Sequence, residues 1–133
     1  RDAKLANVVV SAIRSVDESL AVVAAPESDM MAEDARAGLR TNREAFADRR
    51  YLADRSLKSR GEPGALLLDV REAAAQALML ARDETAMTDE GTAVAIPFET
   101  LCIHGDMPDA VARLTEIHRT LTAAGFTISK KSK

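Results

Sequence analysis

Two short stretches of the chain concentrate side chains able to move protons or hold anions. The first is Asn42-Arg43-Glu44-Ala45-Phe46-Ala47-Asp48-Arg49-Arg50-Tyr51. Side chains alternate along a strand, so Asn42, Glu44 and Phe46 share one face, and Asp48 joins them if the extended run persists. Two carboxylates at one mouth repel each other, which separates a base from a positioning partner. Arg49 or Arg50 offers a planar fork for a carboxylate or phosphate. The alternative for the same charges is a solvated ion-pair network. The second stretch is Thr100-Leu101-Cys102-Ile103-His104-Gly105-Asp106-Met107-Pro108. Here His104 follows an apolar strand directly, a suitable place for a general acid or base working near neutral pH. Gly105 lets the backbone come close, and a helix start just beyond it favours an anion. Asp106 is expected to cap that helix, with Asp109 three residues on and Pro108 in the first turn. Cys102, between Leu101 and Ile103, reads as a small core residue rather than a nucleophile, and His118 as a solvated helix residue.

These groups need elements to carry them. Leu5, Val8, Val9, Ala12, Ile13 and Val16 have helical spacing and predict one buried face over residues 3–16. Leu20 to Ala24 reads as a strand covered on both faces, ended by Pro26. A helix from about Ser28 to Ala37 is stopped by Gly38, and residues 39–47 are extended. The charged segment from Asp48 to Leu66, punctuated by Gly61, Pro63 and Gly64, reads as a long loop, functional or disordered. Asp69 and Glu72 form a capping box before a helix that buries Val70, Ala73, Ala74, Ala77, Leu78 and Ala81. Asp89-Glu90-Gly91 is a turn before a strand at Thr92–Ile96, and Leu101–Ile103 is another strand. A helix with Val111, Leu114, Ile117 and Leu121 on one side closes at Gly125, and Phe126–Ile128 adds a last extended piece. Lys130–Lys133 is a solvated tail. Strands alternating with helices make this an α/β chain of the parallel class.

Composition narrows the functions. The chain has 133 residues and 47% hydrophobic content, with three Phe, one Tyr and no Trp. That length suits one domain and buries roughly two-thirds of the unfolded surface, so staples are not required. A net charge of −3 argues against a nucleic-acid binder led by a basic face. One cysteine excludes an intrachain disulfide and a cysteine-rich zinc site. No paired-His spacing supports a metal, and no Walker-type loop supports ATP binding by that route. No apolar run approaches the ~18 residues of a membrane span, and no leader is visible, which points to the cytoplasm.

Four segments, in order, resemble the LamB/YcsF family: Gly38-Leu39-Arg40, Glu44-Ala45-Phe46-Ala47-Asp48-Arg49-Arg50-Tyr51, Ser59-Arg60 through Pro63-Gly64-Ala65, and Thr100-Leu101-Cys102-Ile103-His104-Gly105-Asp106. The strings E-x-F-A-D-R-x-Y and T-L-C-[IV]-H-G-D are the specific ones. The resemblance implies the later half of an irregular (β/α) barrel of the glycoside hydrolase/deacetylase type, so that residues 1–133 form a single incomplete domain. It further implies work as the A component of an ATP-dependent 5-oxoprolinase, opening the lactam of 5-oxoproline to L-glutamate together with subunits B and C. On this reading Glu44 or Asp48 is the base or water-positioning group. Arg49 holds a substrate carboxylate or phosphoryl oxygen, His104 donates a proton or steadies an oxyanion, and Asp106 orients His104 or orders the helix start. Arg55 stands where the family commonly has Gly, which costs on the order of 1 kcal/mol if that turn needs positive φ. Two alternatives remain open: an inactive fragment or interaction module, and a metal-dependent N-acyl hydrolase. An open sheet edge in a half-domain would also favour self-association.

Overall fold

The computed structural model describes residues 2–107 and 109–129 and contains four helices and five short strands there, alternating as far as α3. They are α1 (Ala3–Val16), β1 (Ala21–Ala24), α2 (Asp29–Ala37), β2 (Arg40–Phe46), α3 (Val70–Asp83), β3 (Thr85–Met87), β4 (Ala93–Ala95), β5 (Thr100–Cys102) and α4 (Ala110–Ala123). The expected α/β alternation is present, and β1 and β2 run parallel, with Ala21 opposite Arg40 and Ala24 opposite Arg43. Pro108 and the Lys130–Lys133 tail lie outside the described residues. The chain divides into two compact units, residues 1–45 with 98–100 and residues 46–97 with 101–133.

In the first unit, Asp2 starts α1 by accepting from the N–H groups of Lys4 (3.0 Å) and Leu5 (3.1 Å). Ser28 does the same for α2, and Gly38 ends α2 in the left-handed region at φ +74°, where a side chain would be strained. The core joins Val10 of α1, Val22 of β1 and Leu39, with Ile13, Met30 and Ala37 packed against it. Two expectations need correction. β1 is not covered on both faces: Val22 and Ala24 are buried while Ala21 and Val23 are exposed, because the packing within this unit, Val10 of α1 against Val22, lies on one face only. On α1 the inward residues are Ala6 and Val10, and the expected face of Leu5, Val8, Val9 and Val16 is exposed.

The second unit is built on α3 and α4. Ala73, Ala74 and Ala77 give α3 a flat side against Ile117 and Leu121, and Leu67, Ala47 and Phe126 complete the core. Asp69 caps α3 through the Arg71 N–H at 2.7 Å, while the Glu72 carboxylate turns to Arg50. β3, not anticipated from the sequence, pairs antiparallel with β4 around the expected turn at Asp89–Gly91. α4 also differs from expectation. Val111 and Leu114 are exposed, and Arg113 takes the inward position one turn before Ile117. The segment after Gly125 is not a strand; Phe126 instead packs into the core from an irregular terminus. Among the described residues no helix is long and apolar enough to cross a membrane.

Arg55 does sit at positive φ (+66°), in a turn closed by the Arg55 N–H to the Leu52 carbonyl at 2.9 Å. Arg55→Gly is therefore expected to raise stability by about 0.5–1 kcal/mol, the left-handed strain removed less the extra freedom of glycine in the unfolded chain. An unchanged or lower urea midpoint would contradict the strain.

Asp34 of α2 is wholly buried, and neither carboxylate oxygen has a hydrogen-bond partner among the described residues. Burial raises its pKa above the ordinary carboxylate value. The folded chain thus holds this proton more tightly than the unfolded chain. Stability from this group falls as pH climbs from the unfolded value through the raised one. Asp34→Ala should gain on the native chain with rising pH, by about 1–3 kcal/mol at neutrality. Chemical melts from pH 3 to 7 with a constant difference would refute this.

Candidate functional site

The two sequence motifs meet in the second unit through Asp48 and His104. β2 ends at Phe46, and the chain turns at Ala47-Asp48, so the extended run does not carry Asp48 onto the face of Asn42 and Glu44 as anticipated. The turn sends the Asp48 carboxylate inward instead, with no exposed surface. Its Oδ2 accepts the His104 backbone N–H at 2.8 Å, and its Oδ1 lies 2.8 Å from His104 Nδ1. With the carboxylate as acceptor, Nδ1 carries the ring proton and Nε2 is the nitrogen left for exchange. The His104 ring is partly exposed and stacks on Phe46, centroids 5.7 Å apart and planes inclined by 21°. One carboxylate thus fixes both backbone and ring of the histidine, and an aromatic face fixes the ring's remaining tilt.

The support beneath this pair explains the first motif residue by residue. Ala47 fills the core, and its N–H donates to the Cys102 carbonyl at 3.0 Å. Tyr51 is buried and its hydroxyl accepts the Phe46 N–H at 2.9 Å. Arg49 is also buried: its Nη2 donates to the Lys58 carbonyl at 2.7 Å, while Nε has no partner among the described residues. That guanidinium anchors the 48–66 loop. Arg50 pairs with Glu72 and Asp89, beside a depression of about 360 Å³ that Lys58, Gly64 and Thr88 also line. Antiparallel contact of Arg49 with Leu66, and the Leu67 N–H to the Asp48 carbonyl at 3.0 Å, close the loop on itself.

Asp106 requires a correction. It does not cap the helix: α4 begins at Ala110, and Asp109 holds the N-cap position. Its carboxylate accepts from Arg60 at 2.6 Å, and the Arg60 hydrogen bond lowers its pKa. Orientation of His104 falls to Asp48. Glu44 is half-buried on the part of β2 that belongs to the first unit. Cys102 is half-buried, and His118 is exposed. Among the described residues no three His, Cys, Asp or Glu side chains gather as a metal-ligand set.

Two residues of this scaffold escaped the sequence reading. Gln76, buried on α3, donates through Nε2 to the carbonyls of Phe46 (2.9 Å), Ala47 (3.3 Å) and Arg49 (2.8 Å). It meets the carbonyls exposed where the strand turns away from sheet pairing. Arg113, buried on α4, donates through Nη2 to the carbonyls of Leu67 (3.2 Å) and Leu68 (2.9 Å), and Nη1 reaches Met107 Sδ at 3.6 Å. It ties the segment that holds Asp48 to the loop that follows His104. The available signals were the apolar faces themselves, since Gln76 lies between Ala73 and Ala77 and Arg113 lies in the row Arg113, Ile117, Leu121.

The LamB/YcsF family signature matches residues 1–133. The chain belongs to the LamB/YcsF family. It is 43% identical over 127 residues to the 5-oxoprolinase A component of Symbiobacterium thermophilum, and 41% identical over 129 residues to that of Methylococcus capsulatus. Each alignment covers 96% of this chain and 49% of the relative. The crystal structure of a lactam utilization protein from Thermus thermophilus superposes with a TM-score of 0.85 at 34% identity, over 94% of this chain and 49% of that one. The LamB/YcsF chain described here therefore spans about half the length of these relatives.

Gln76→Leu keeps the volume but leaves three carbonyls without their donor. It should destabilise the second unit by about 2–3 kcal/mol and weaken the Asp48–His104 contact, read as a shift in the His104 imidazole nitrogen resonances. A variant with wild-type melting and unmoved resonances would show that the amide is dispensable.

Proposed function

We propose that this LamB/YcsF chain contributes to opening the lactam of 5-oxoproline to L-glutamate, as part of the A component of an ATP-dependent 5-oxoprolinase acting with B and C subunits. The observation that carries the proposal is the hydrogen-bonded Asp48–His104 pair, formed by the two motifs that mark the family. The relatives are named as the A component of 5-oxoprolinase and as a lactam utilization protein, and these names support the substrate class.

The chemistry fits the pair. A lactam is a resonance-stabilised amide, and neither water attack nor departure of the ring nitrogen is easy at neutral pH. Phosphoryl transfer from ATP to the lactam oxygen makes the carbonyl carbon electrophilic. A first water adds there and the C–N bond breaks, leaving the acyl phosphate of glutamate; a second water releases phosphate from it, so the products are glutamate, ADP and phosphate. The ring nitrogen needs a proton as it departs, and the attacking water must lose one. In the proposal His104 carries these protons through Nε2, with Asp48 holding the ring in one tautomer and one orientation. Glu44 is proposed as the second carboxylate, positioning water. Asp106 is proposed to order the loop after His104 through Arg60. Arg49, whose Nη2 is engaged by the Lys58 carbonyl, is proposed to shape the site rather than to grip substrate.

The half-length match to the relatives favours one second reading, in which the chain supplies surface to an assembly and not turnover. One assay separates the two. The chain is combined with B and C subunits, ATP and 5-oxoproline, and glutamate and ADP are followed together. Equal appearance of both products, with His104→Ala and Asp48→Asn each reducing the rate by about 100-fold or more and Glu44→Gln by a smaller factor, is the expected result. Rates unaffected by His104→Ala would remove the pair from the mechanism, and absence of products would favour the second reading.

A further inference from the structure

The Ser59-Arg60 motif is 46 residues from Asp106 along the chain and meets it in space. Arg60 Nη2 donates to Asp106 Oδ2 at 2.6 Å, two residues beyond His104. Both sides of this contact hang on the dipeptide Asp48-Arg49. Asp48 takes the backbone and the ring of His104. Arg49 donates to the Lys58 carbonyl at 2.7 Å and so fixes the chain just before Ser59. The Glu62 N–H then donates to the Ser59 carbonyl at 2.9 Å and closes a turn around Arg60. Adjacent side chains of one turn thereby place an imidazole and a guanidinium on two loops that touch. The Arg60 hydrogen bond first, and a charged His104 after it, hold the Asp106 carboxyl below its ordinary range, so the imidazole stands within electrostatic reach of the pair.

We propose that Arg60 grips the carboxylate of 5-oxoproline and so determines specificity in the lactam-opening reading, on which this inference rests. Other guanidiniums of the same unit are spent. Arg49 and Arg113 are buried on backbone carbonyls, and Arg50 is held by Glu72 and Asp89. Arg60 differs in kind. Its side chain is 45% exposed, and Asp106 engages Nη2, leaving Nε and Nη1 without a protein partner among the described residues. An arginine tethered through one nitrogen is already oriented, and the rest of its fork suits a planar anion. The substrate supplies the matching group. The carboxylate of 5-oxoproline is borne by the carbon next to the ring nitrogen, so the cation that holds it must stand beside the group that protonates that nitrogen. Arg60 and His104, joined through the loop of Asp106, meet this demand.

The test has a turnover arm and a binding arm. With B and C subunits, ATP and 5-oxoproline, Arg60→Gln is expected to raise KM by about 10- to 100-fold, the loss of a charge-assisted hydrogen bond, with kcat within about threefold of wild type. Arg60→Lys keeps the charge without the fork and recovers part of the affinity. In the binding arm, 5-oxoproline and 2-pyrrolidinone, the same lactam without its carboxylate, are titrated into the 133-residue chain. 5-Oxoproline is expected to move the His104 imidazole nitrogen resonances at lower concentration than 2-pyrrolidinone, and Arg60→Gln to abolish the difference. The Arg60–Asp106 pair is exposed, so the urea midpoint of Arg60→Gln stays at the wild-type value and a loss of structure is not what either arm reads. Glutamate formed by Arg60→Gln at unchanged KM overturns the assignment of Arg60 and leaves the turnover reading intact. Equal responses of the wild-type chain to the two lactams, or none to either, also overturn it. No glutamate in the turnover arm, with Arg60-dependent discrimination in the binding arm, sinks the turnover reading and keeps the carboxylate site.

Discussion

A carboxylate without exposed surface must find donors inside the protein, and Asp48 finds them in a single residue. Its two oxygens are taken by the backbone and the ring of His104, so the desolvation of one group fixes the placement of the other. The consequence reaches outward through the backbone. For Asp48 to turn inward, the chain must leave the strand after Phe46, and the carbonyls of Phe46, Ala47 and Arg49 lose regular partners. Gln76 supplies the donor for all three. The segment returning past Asp48 must then be held against it, and Arg113 does this by gripping the Leu67 and Leu68 carbonyls. A buried amide and a buried guanidinium on α3 and α4 are thus consequences of one inward carboxylate.

The first unit contains the contrasting case. Asp34 is buried as completely as Asp48, yet has no donor among the described residues. Proteins bury a polar group unsatisfied only where the surroundings impose it, at a cost of about 1–3 kcal/mol. Its neighbour Glu33 shows what satisfaction looks like on the same helix, accepting from Asn7 Nδ2 at 3.2 Å and pairing with Arg36. Burial of Asp34 brings no compensating hydrogen bond among the described residues.

The legibility of this chain in its sequence follows a physical line. Local signals were read well. Ser28 and Gly38 bound α2, Asp69 opens α3, Asp89–Gly91 makes the turn, and Arg55 occupies a left-handed position. Each is a matter of neighbouring residues, which is where sequence speaks directly. The family resemblance was equally legible, because motif spacing is a local property too. Choices made by tertiary partners were not. The pairing of Asp48 with His104 spans 56 residues, and the family resemblance offered Asp106 for orienting His104 or for ordering the helix start. β3 is only three residues long and exists because β4 pairs with it, whereas Phe126–Ile128, richer in strand-forming residues, has no such partner among the described residues. Gln76 and Arg113 look like interruptions of apolar faces until the carbonyls they serve are known.

The two helices whose inward faces were misjudged show why periodicity alone underdetermines burial. α1 and α4 each carry more apolar residues than one arc can hold, and the arc that packs is the one whose shape fits. On α1 the small Ala6 and the compact Val10 lie on the inward side, Val10 against Val22 and Leu39, while bulkier Leu5 is left outside. On α4 the inward row begins with Arg113, because its guanidinium is the group that serves the Leu67 and Leu68 carbonyls, and Val111 and Leu114 turn out as a result. The exposed residues left by these two choices differ in kind. On α4 exposure follows from a hydrogen-bonding demand within the unit. On α1 no such demand exists among the described residues, and the exposed stripe coincides with an unguarded strand edge in the same unit.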